Sequence, residues 1–561
     1  MEKYTPAVDA VAGSVTASAL VGLIPLLVFF AALVVLKRSA HVSGLIALIT
    51  AIVVAVAGFK MPVGYALMSA LQGAAFGIMP IALIVIFAIW LYQLTVINGR
   101  FEDLRNIFDR VGHGDIRVQA LLIAFCFGGL LEALAGFGAP VAITATMVMA
   151  LGIKPLRAAA AVLVANTAPV AYGAIGTPIT TAGKLTNIDP NVIGAIIGRQ
   201  SPILALIVPL ILLFIIDGRR GVKDLWPIAL ATGVTFAVFQ FLSSNFFSYE
   251  LTDIVAALGG LGGTILFMKI YEPRGSVEAR ERLGVAEPPK AEKISGERTF
   301  LALFPYLALI VVFGIAKLVP PVTAFLASTD IKIPWPVIHE ALVDENGAVR
   351  DSTVFTFSWL SSPGSLLLIT GIIVAIVYSV CTSGGKFPSP LGAAAKELGN
   401  TFYRMRWAGL TIVLVLSLAY VMNFSGQTIS IGVWLAGTGA AYAFLSPLLG
   451  WIGTAVTGSD TSANALFAKL QQTAAVELNV HPELTVAANT SGGVVGKLIS
   501  PQNLAIAATA ANMPGQESVI FRKVFGWSVM LVLFLCLLIG LQSTPVLGWM
   551  LAGLELAPLG G

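Results

Sequence analysis

Apolar stretches long enough to cross a bilayer follow one another along almost the whole chain, separated by short polar turns. One membrane-spanning helix needs roughly 20 apolar residues, and the first stretches, near 19–36, 42–59 and 75–97, are close to that length. Others, such as 139–152, are too short to cross alone and indicate broken or re-entrant helices. The pattern predicts an all-α polytopic membrane protein with about 12–14 transmembrane helices.

The composition supports the same class. Of the 561 residues, 57% are hydrophobic and 11% are charged, against roughly 25% charged residues in an average soluble domain. The formal net charge of +4 is small and scattered, so we expect membrane lipid around the helices and no nucleic-acid partner. Cysteines and histidines show no ligand spacing, and we therefore predict neither a metal nor a cofactor.

Lys and Arg are unevenly distributed among the polar segments, which predicts the orientation of the chain. Three segments are rich in them: 98–117, 217–224 and 386–406. The segment 319–362, in contrast, holds only Lys332 and Arg350 among five acidic residues. Because basic loops stay in the cytoplasm, we predict the three basic segments to be cytoplasmic, and 319–362 and the N-terminus to be external. Lys184 and Arg199 fall at predicted span ends and are interpreted as interface anchors.

A polar linker divides the chain into two membrane halves. Residues 271–298 contain six basic and six acidic residues and lie between apolar segments. We predict an N-terminal membrane half at 1–270, a cytoplasmic linker at 271–298 and a C-terminal membrane half at 299–561.

Each half contains one copy of a motif that interrupts hydrophobic segments. Asn166 is followed twelve residues later by Pro178, and Asn489 is followed twelve residues later by Pro501. A threonine follows each asparagine, and a glycine lies thirty or thirty-one residues before it. Two matching interruptions, one in each half, indicate the binding site of a transporter built from two repeats.

The interruptions predict an anion site. Freed backbone N–H groups and the positive ends of half-helices attract anions, and short polar side chains beside them suit a small carboxylate that carries a hydroxyl. Helix-packing glycines and hydrogen-bonded Asn and Thr side chains are the alternative explanation. The predicted substrate-binding residues are Gly136, Phe137, Gly138, Asn166, Thr167, Ser459, Thr461, Ser462, Asn489, Thr490, Ser491 and Lys497.

Two carboxyl groups beside the interruptions are candidates for proton coupling. Glu132 lies four residues before Gly136, in an apolar stretch where an ionisable group marks an ion or proton path. Asp460 occupies the comparable break in the second half. A neutral carboxyl that bonds a neighbouring helix is the alternative for Glu132. Lys497 is expected to pair with Asp460 or with a bound carboxylate, or to extend to the membrane interface.

Energetics favour coupled transport. An anion that enters a cell against an inside-negative potential costs about 2.3 kcal/mol per 100 mV. One proton carried with the anion removes that cost, and so would one Na⁺ ion bound near Asp460. The residues themselves leave both possibilities open.

At these residues the chain resembles the bacterial L-lactate permease family. The stretches that carry the resemblance are LLEALAGFGAPVAI (130–143), GIKPLRAAAAVLVANTAPVAYGAIGTPI (152–179), TGSDTSANALF (457–467) and NTSGGVVGKLISPQN (489–503). The resemblance implies proton-coupled uptake of L-lactate, and of D-lactate and glycolate, across the bacterial inner membrane. It also implies kinship with anion transporters that contain two inverted repeats with re-entrant hairpins, in which Asn-Thr motifs contact substrate or cation.

Three alternatives are weighed against this function. A Na⁺-coupled carrier of dicarboxylates belongs to the same broad class, but a second basic residue near the breaks is missing. A membrane-embedded enzyme would need a catalytic constellation, and none is recognisable in the sequence. A passive channel would need charged rings or repeated filter loops. We therefore expect a transporter and not an enzyme.

Overall fold

The computed structural model describes residues 3–111, 114–135, 138–285, 294–343 and 347–557. They form α-helices, several short helical turns and one two-stranded antiparallel sheet of β1 (Ile331–Pro334) and β2 (Val354–Phe357). The first-half helices are α1 (Val15–Phe30), α2 (Ala40–Ala57), α3 (Val63–Phe76), α4 (Leu83–Asn98), α5 (Arg100–Val111), α6 (Ile116–Leu121), α7 (Gly128–Ala135), α8 (Ala139–Ala150), α9 (Pro155–Ala165), α10 (Gly173–Thr186), α11 (Pro190–Ile197), α12 (Ser201–Phe246) and α13 (Thr252–Phe267). The remaining helices are α14 (Ser276–Leu283), α15 (Gly296–Leu318), α16 (Pro320–Ser328), α17 (Pro363–Val380), α18 (Leu391–Ser425), α19 (Gln427–Ala436), α20 (Tyr442–Thr457), α21 (Asp460–Glu477), α22 (Pro482–Gly496), α23 (Pro501–Ala510) and α24 (Glu517–Gln542).

Ten helical segments among the described residues are long and apolar enough to cross a membrane, or eleven if α9 and α10 form one broken span. The longest, Pro190–Phe246, has 57 residues, far more than the roughly 20 that one crossing needs. Gly218 breaks it with φ 68° and ψ −155°, and Gly233 packs against the backbone of Ala205. The two parts of α12 therefore fold back on each other. The predicted class, an all-α protein with many membrane spans and broken helices, is confirmed.

The outer helices present apolar side chains outward. Leu27 is 60% exposed, Val53 58% and Val311 57%, and such exposure of large apolar side chains is costly in water but favourable in lipid. Polar side chains are instead buried between the helices, where other protein groups can satisfy them.

The second half contains a helical hairpin. Gly453 of α20 packs against Ala463 and Phe467 of α21, and Tyr442 Oη donates a hydrogen bond to Gln471 Oε1 at 2.6 Å. Residues at similar distances before and after the connection between α20 and α21 thus face each other, so the two helices pack antiparallel. The tip of this hairpin is at Gly458 and Ser459, and Gly458 is buried.

The first half contains a corresponding hairpin of α7 and α8. A methyl group added at Gly128 in α7 would lie 3.7 Å from Thr144 Cγ2 in α8, which is ordinary van der Waals contact. α7 ends at Ala135 and α8 begins at Ala139, so two separate helices occupy this apolar stretch. Gly136 and Phe137, on which the predicted break falls, lie outside the described residues.

A broken span follows each hairpin, and the two broken spans run in opposite directions. α9 and α10 are bent by 61°, and α10 ends beside the base of the second hairpin, where Gln472 Nε2 donates to Thr186 O at 2.8 Å. α22 starts at that base, where Thr485 Oγ1 donates to Gln471 O at 3.1 Å, and α23 packs against α8 of the first hairpin. The repeats are therefore inverted, a polarity that the sequence left open.

The linker is folded onto the base of the first hairpin. Arg117 is paired with Asp115 at 2.8 Å and with Asp217 at 3.1 Å. Arg282 of α14 also pairs with Asp217, at 2.5 Å, and Ser276 Oγ donates to Asp115 Oδ2 at 2.7 Å. The first part of the predicted linker is thus held by charge pairs, and its residues 286–293 lie outside the described residues. The division of the chain at 271–298 stays a prediction.

Candidate functional site

The first predicted interruption breaks a buried helical segment. α9 ends at Ala165, and Asn166 is the residue that follows it. Further on, Ala174, Ile175 and Gly176 have φ of 44°, 56° and 65°, in the left-handed region that side chains other than glycine seldom adopt. The backbone therefore changes direction between α9 and the regular part of α10, in the middle of the protein.

The second interruption begins at Lys497. α22 ends at Gly496, and a short 3₁₀ turn that starts at Lys497 separates it from α23. Asn489 and Thr490 lie inside α22, seven and six residues before its end. The structural counterpart of Asn166, as the first residue after a half-helix, is therefore Lys497. The twelve-residue spacing matched asparagines that occupy different places in the two breaks.

Both breaks meet at Glu132 in α7. Lys497 Nζ donates to Glu132 Oε1 at 2.7 Å, and Asn166 Nδ2 donates to Glu132 Oε2 at 3.1 Å. Glu132 is 2% exposed and Lys497 7%, so the lysine is buried and does not extend to an interface. A methyl group at Gly173 would lie 2.8 Å from Glu132 Oε1. The carboxylate is thus enclosed by both repeats and paired with a cation 365 residues away.

Asp460 faces the same cavity from the tip of the second hairpin. It is the first residue of α21, whose N-cap is Ser459. Thr454 Oγ1 donates to Asp460 Oδ1 at 3.4 Å, whereas Asp460 Oδ2 has no hydrogen-bond partner among the described residues. Lys497 pairs with Glu132 and not with Asp460, so the site holds a second carboxyl group that is only partly satisfied.

The cavity between these groups is small, about 30 Å³, which is room for one or two water molecules. It is lined by Glu132, Val170, Gly173, Ala174, Pro178, Gly458, Ser459, Asp460, Thr461 and Lys497. Of these lining residues, Lys497 is the one cation. A small carboxylate is larger than this space.

Asp253 is a buried carboxyl group that the sequence patterns above did not single out. It lies in the first turn of α13, is 0% exposed, and neither of its oxygens has a hydrogen-bond partner in the part of the chain that the structure describes. Glu132 and Lys497 are close enough to interact with its charge. An unpaired carboxylate is strongly disfavoured in such a place. The signal was available, since Asp253 is an acidic residue in an apolar segment.

The second Asn-Thr motif, Asn489 and Thr490, links α22 to α21 through buried hydrogen bonds. Asn489 Nδ2 donates to Asn464 Oδ1 at 2.9 Å, and Asn464 Nδ2 donates to Thr490 Oγ1 at 2.9 Å. Gln471 Nε2 donates to Asn489 Oδ1 at 3.3 Å. These side chains are buried and are not among the described residues that line the cavity at Glu132. Contact between them and a substrate stays a prediction.

Predicted residues of the second hairpin tip lie at the cavity. Ser459 and Thr461 line it, and Ser462 N–H donates to Ser459 Oγ at 3.3 Å. This N-terminal end of α21 therefore points its positive dipole end toward the cavity. Gly138, with φ 88°, is the N-cap residue of α8 and lies against α23.

The other predicted residues have structural contacts. Thr167 Oγ1 donates to Val164 O at 2.7 Å within the last turn of α9. Ser491 Oγ donates to Gln200 Oε1 at 2.6 Å. Gly136 and Phe137, also predicted to bind substrate, lie outside the described residues.

Arg199 and Lys184 are both interpreted from the sequence as interface anchors, which stays a prediction for the exposed Lys184. Arg199 Nε donates to Asn245 Oδ1 at 2.9 Å, and Nη1 donates to Met550 O and Ala552 O at 2.6 and 2.9 Å. Arg199 therefore ties three segments of the protein together. Lys184 is exposed at the end of α10 and lines a separate cavity.

The fold and the site define a multi-pass membrane transporter, because two inverted repeats, each a hairpin with a broken helix, enclose buried charges between them. A sequence profile of the L-lactate permease family matches residues 18–546. The chain belongs to the L-lactate permease family, as its motifs indicated.

Relatives along most of the chain bear matching names. The glycolate permease GlcA of Escherichia coli (strain K12) is 43% identical over 530 residues, covering 91% of this chain and 93% of that protein. The L-lactate permease of Bacillus subtilis (strain 168) is 38% identical over 573 residues, covering 98% and 100%. The L-lactate permease of Escherichia coli (strain K12) is 39% identical over 563 residues, covering 98% and 99%. All three relatives are named as permeases and not as enzymes.

Among solved structures, the YdaH transporter of Alcanivorax borkumensis, described as having an unusual topology, is similar with a TM-score of 0.42. The sequences are 16% identical, and the alignment covers 87% of this chain and 88% of that chain.

Proposed function

We propose that the protein imports L-lactate by proton symport across the bacterial inner membrane, with D-lactate and glycolate as further substrates. The names of its bacterial relatives, lactate and glycolate permeases at 38–43% identity, support the substrate class and the membrane. The single observation that carries the coupling is the buried pair of Glu132 and Lys497 at 2.7 Å.

This pair provides a way to exchange one carboxylate for another. Lys497 is the cation available to a substrate carboxylate in the cavity, and Glu132 holds it. A proton on Glu132 neutralises that carboxyl group and releases Lys497 to bind the carboxylate of lactate. Because a buried charge needs a partner, substrate binding and protonation of Glu132 favour each other.

The exchange keeps the charge of the site constant. The negative charge of lactate replaces that of Glu132, and the proton that Glu132 holds compensates for the anion. The loaded and empty sites then have the same net charge, so the membrane potential does not oppose the movement of the loaded site. Because the cavity is smaller than lactate, the two hairpins move apart to admit it. Asp460 and Asp253, which have unsatisfied oxygens, are the further groups that take or pass a proton during this movement.

Groups at the tip of the second hairpin suit the rest of a 2-hydroxy acid. Ser459 and Thr461 supply hydroxyl groups beside the cavity, and the N-terminal end of α21 favours an anion. We further propose that the membrane halves 1–270 and 299–561 each contribute one hairpin tip to the substrate site.

The structure favours this function over a sodium-coupled carrier of dicarboxylates. A Na⁺ ion bound between Glu132 and Asp460 would lie beside the ammonium group of Lys497 and be repelled by it. A second substrate carboxylate would need a second cation, and Lys497 is the one cation among the described residues that line the cavity.

The experiment is uptake of labelled L-lactate by purified protein in liposomes. With an acidic exterior and no sodium, we expect accumulation that stops when a proton carrier dissipates the gradient. Clamping the membrane potential at zero should leave the initial rate unchanged. Unlabelled D-lactate and glycolate should compete, whereas a dicarboxylate such as succinate should not. Uptake that depends on Na⁺ and ignores the pH gradient would contradict the proposal.

A further inference from the structure

A second, much larger cavity lies beneath the β1–β2 hairpin. Its volume is about 740 Å³. It is bounded by the ends of α10 and α18, the middle of α21, the start of the turn between α3 and α4, and the β-hairpin. The lining residues are Phe76, Pro80, Lys184, Leu185, Asn187, Lys332, Arg350, Ser352, Val354, Phe355, Thr356, Ser358, Tyr420, Asn423, Phe424, Ile429 and Lys469.

The charge of this cavity has one sign. Four of the described lining residues are basic and none is acidic. The basic residues come from three separate parts of the chain: Lys184, Lys332 with Arg350, and Lys469. A cleft lined by one sign of charge concentrates ions of the opposite sign. Serine, threonine and asparagine side chains on the same walls can bond a carboxylate or a hydroxyl group. The lining therefore suits small organic anions.

Two helices lead from this cavity to the buried charge pair. α10 and α21 pack against each other, and each has residues in both cavities. Pro178 lines the small cavity and Lys184 the large one, roughly 9 Å apart along α10 at the rise of an α-helix. Thr461 and Lys469 have the same arrangement in α21, with a separation of roughly 12 Å.

The cavity opens on the side that the charge distribution assigns to the exterior. β1 and β2 belong to the segment 319–362, which is poor in basic residues. The cavity contacts the C-terminal end of α18, at Asn423 and Phe424, whereas the opposite end of α18 carries the basic residues of 386–406. An importer first meets its substrate on this external side.

We propose that this cavity is an external vestibule that collects small carboxylate anions and delivers them along the interface of α10 and α21 to the site at Glu132 and Lys497. The vestibule rests on the proposed function, since it assumes that the transported substrate is an anion that enters from outside. It acts by raising the local anion concentration, so it lowers the apparent KM and leaves the maximal rate of transport unchanged.

The test is lactate uptake by right-side-out membrane vesicles that contain the Lys184→Gln, Lys332→Gln double variant. Both lysines are exposed, so the variant is expected to fold. At about 10 mM ionic strength, where charges act over about 30 Å, we expect the KM for lactate to rise about threefold to tenfold. At about 1 M salt, where charges act over about 3 Å, the variant and the unaltered protein should have the same KM.

Two further variants sharpen the test. Lys60→Gln removes an exposed lysine from the turn between α2 and α3, outside the cavity, and should leave KM unchanged at both salt concentrations. The Lys184→Glu, Lys332→Glu double variant should raise KM more than the glutamine variant does, and the increase should again disappear in high salt.

The outcomes separate the vestibule from the proposed function. If the unaltered protein does not take up lactate, the proposed function fails. If it does, and both double variants keep a KM within twofold of the unaltered value at low salt, the vestibule is wrong. A reduced maximal rate at unchanged KM would also overturn it, because the lysines would then act on conformational change and not on capture.

Discussion

Glu132 differs from the other two buried carboxyl groups in its environment. Both of its oxygens have donors, Lys497 and Asn166, whereas Asp460 has one unsatisfied oxygen and Asp253 has two among the described contacts. Three buried carboxyl groups thus lie near one ammonium group. At the scale of single residues, the carboxylate of Glu132 is paired with the ammonium group of Lys497, and oxygens of the other two carboxyl groups have no hydrogen-bond partner in the part of the chain that the structure describes.

Replacing Glu132 with glutamine should separate coupling from binding. Glu132→Gln removes the exchangeable proton and keeps the size of the side chain, so we expect loss of accumulation driven by a pH gradient, with survival of exchange of lactate for lactate. Both are measured in liposomes with labelled lactate. Glu397→Gln is the matched control, since Glu397 is a buried carboxyl group that pairs with Arg404 on α18. Accumulation at the unaltered level in Glu132→Gln would show that its role is structural.

Removing Lys497 should destabilise the protein through Glu132. Lys497→Met leaves Glu132 buried without its cation, which costs about 3–5 kcal/mol in other proteins. We expect a lower Tm in detergent for the single variant, and recovery of most of that loss in the Glu132→Gln, Lys497→Met double variant. The double variant should still fail to bind lactate. A double variant that is as unstable as the single one would show that the pair is not the reason for the loss.

At the scale of elements, the helix breaks after α9 and α22 bring two different polar side chains to the carboxyl group of Glu132. α9 and α22 each end where a polar side chain follows, Asn166 in one and Lys497 in the other, and both donate to Glu132. α10 begins with a backbone in the left-handed region, which holds Gly173 against the carboxyl group. The geometry of the breaks, more than the identity of nearby residues, forms the site.

A methyl group at Gly173 should disturb this geometry. Gly173 has φ −60°, which alanine adopts without strain, so Gly173→Ala tests only the space beside Glu132, where the added Cβ would lie 2.8 Å from Oε1. We expect uptake to fall about tenfold, equivalent to about 1.4 kcal/mol, with little change in Tm. Gly262→Ala is the control, because a Cβ there meets nothing within 4 Å. Equal uptake by both variants would contradict the close fit at Glu132.

At the scale of the whole molecule, the two sides of the protein differ in their charged groups. The base of the first hairpin and the linker carry paired Arg and Asp side chains, and the other side carries the β-hairpin and the large basic cavity. Glu132 lies in the first hairpin and Lys497 follows α22, so the buried charge pair is formed by both repeats together.

This arrangement predicts which cysteines a membrane-impermeant maleimide labels in intact cells. In a background with the native Cys381 changed to serine, Lys332→Cys should react from outside. Lys396→Cys, near the basic end of α18, should react only after the membrane is permeabilised. Both positions are exposed in the structure. Labelling of Lys396→Cys in intact cells would reverse the orientation of the protein.

The sequence by itself determined the class of protein, the breaks in its helices and Glu132 as a central residue. These follow from local patterns: the length of apolar stretches, Gly and Pro within them, and a charge among apolar neighbours. The same local rule would have found Asp253. The matched spacing of Asn166 and Asn489 suggested that the two asparagines occupy equivalent places. Asn166 instead follows the end of α9, whereas Asn489 lies inside α22, because a spacing does not show where a helix ends.

Only the tertiary structure decided which groups meet. The partner of Lys497 is 365 residues away, and the four basic residues of the large cavity come from three separate segments, with Lys332 and Arg350 in the same one. Such contacts depend on how inverted repeats pack, which no local pattern encodes. The polarity of the repeats was also decided there, because a hairpin and a full span have the same composition, and only packing distinguishes a helix that turns back from one that crosses.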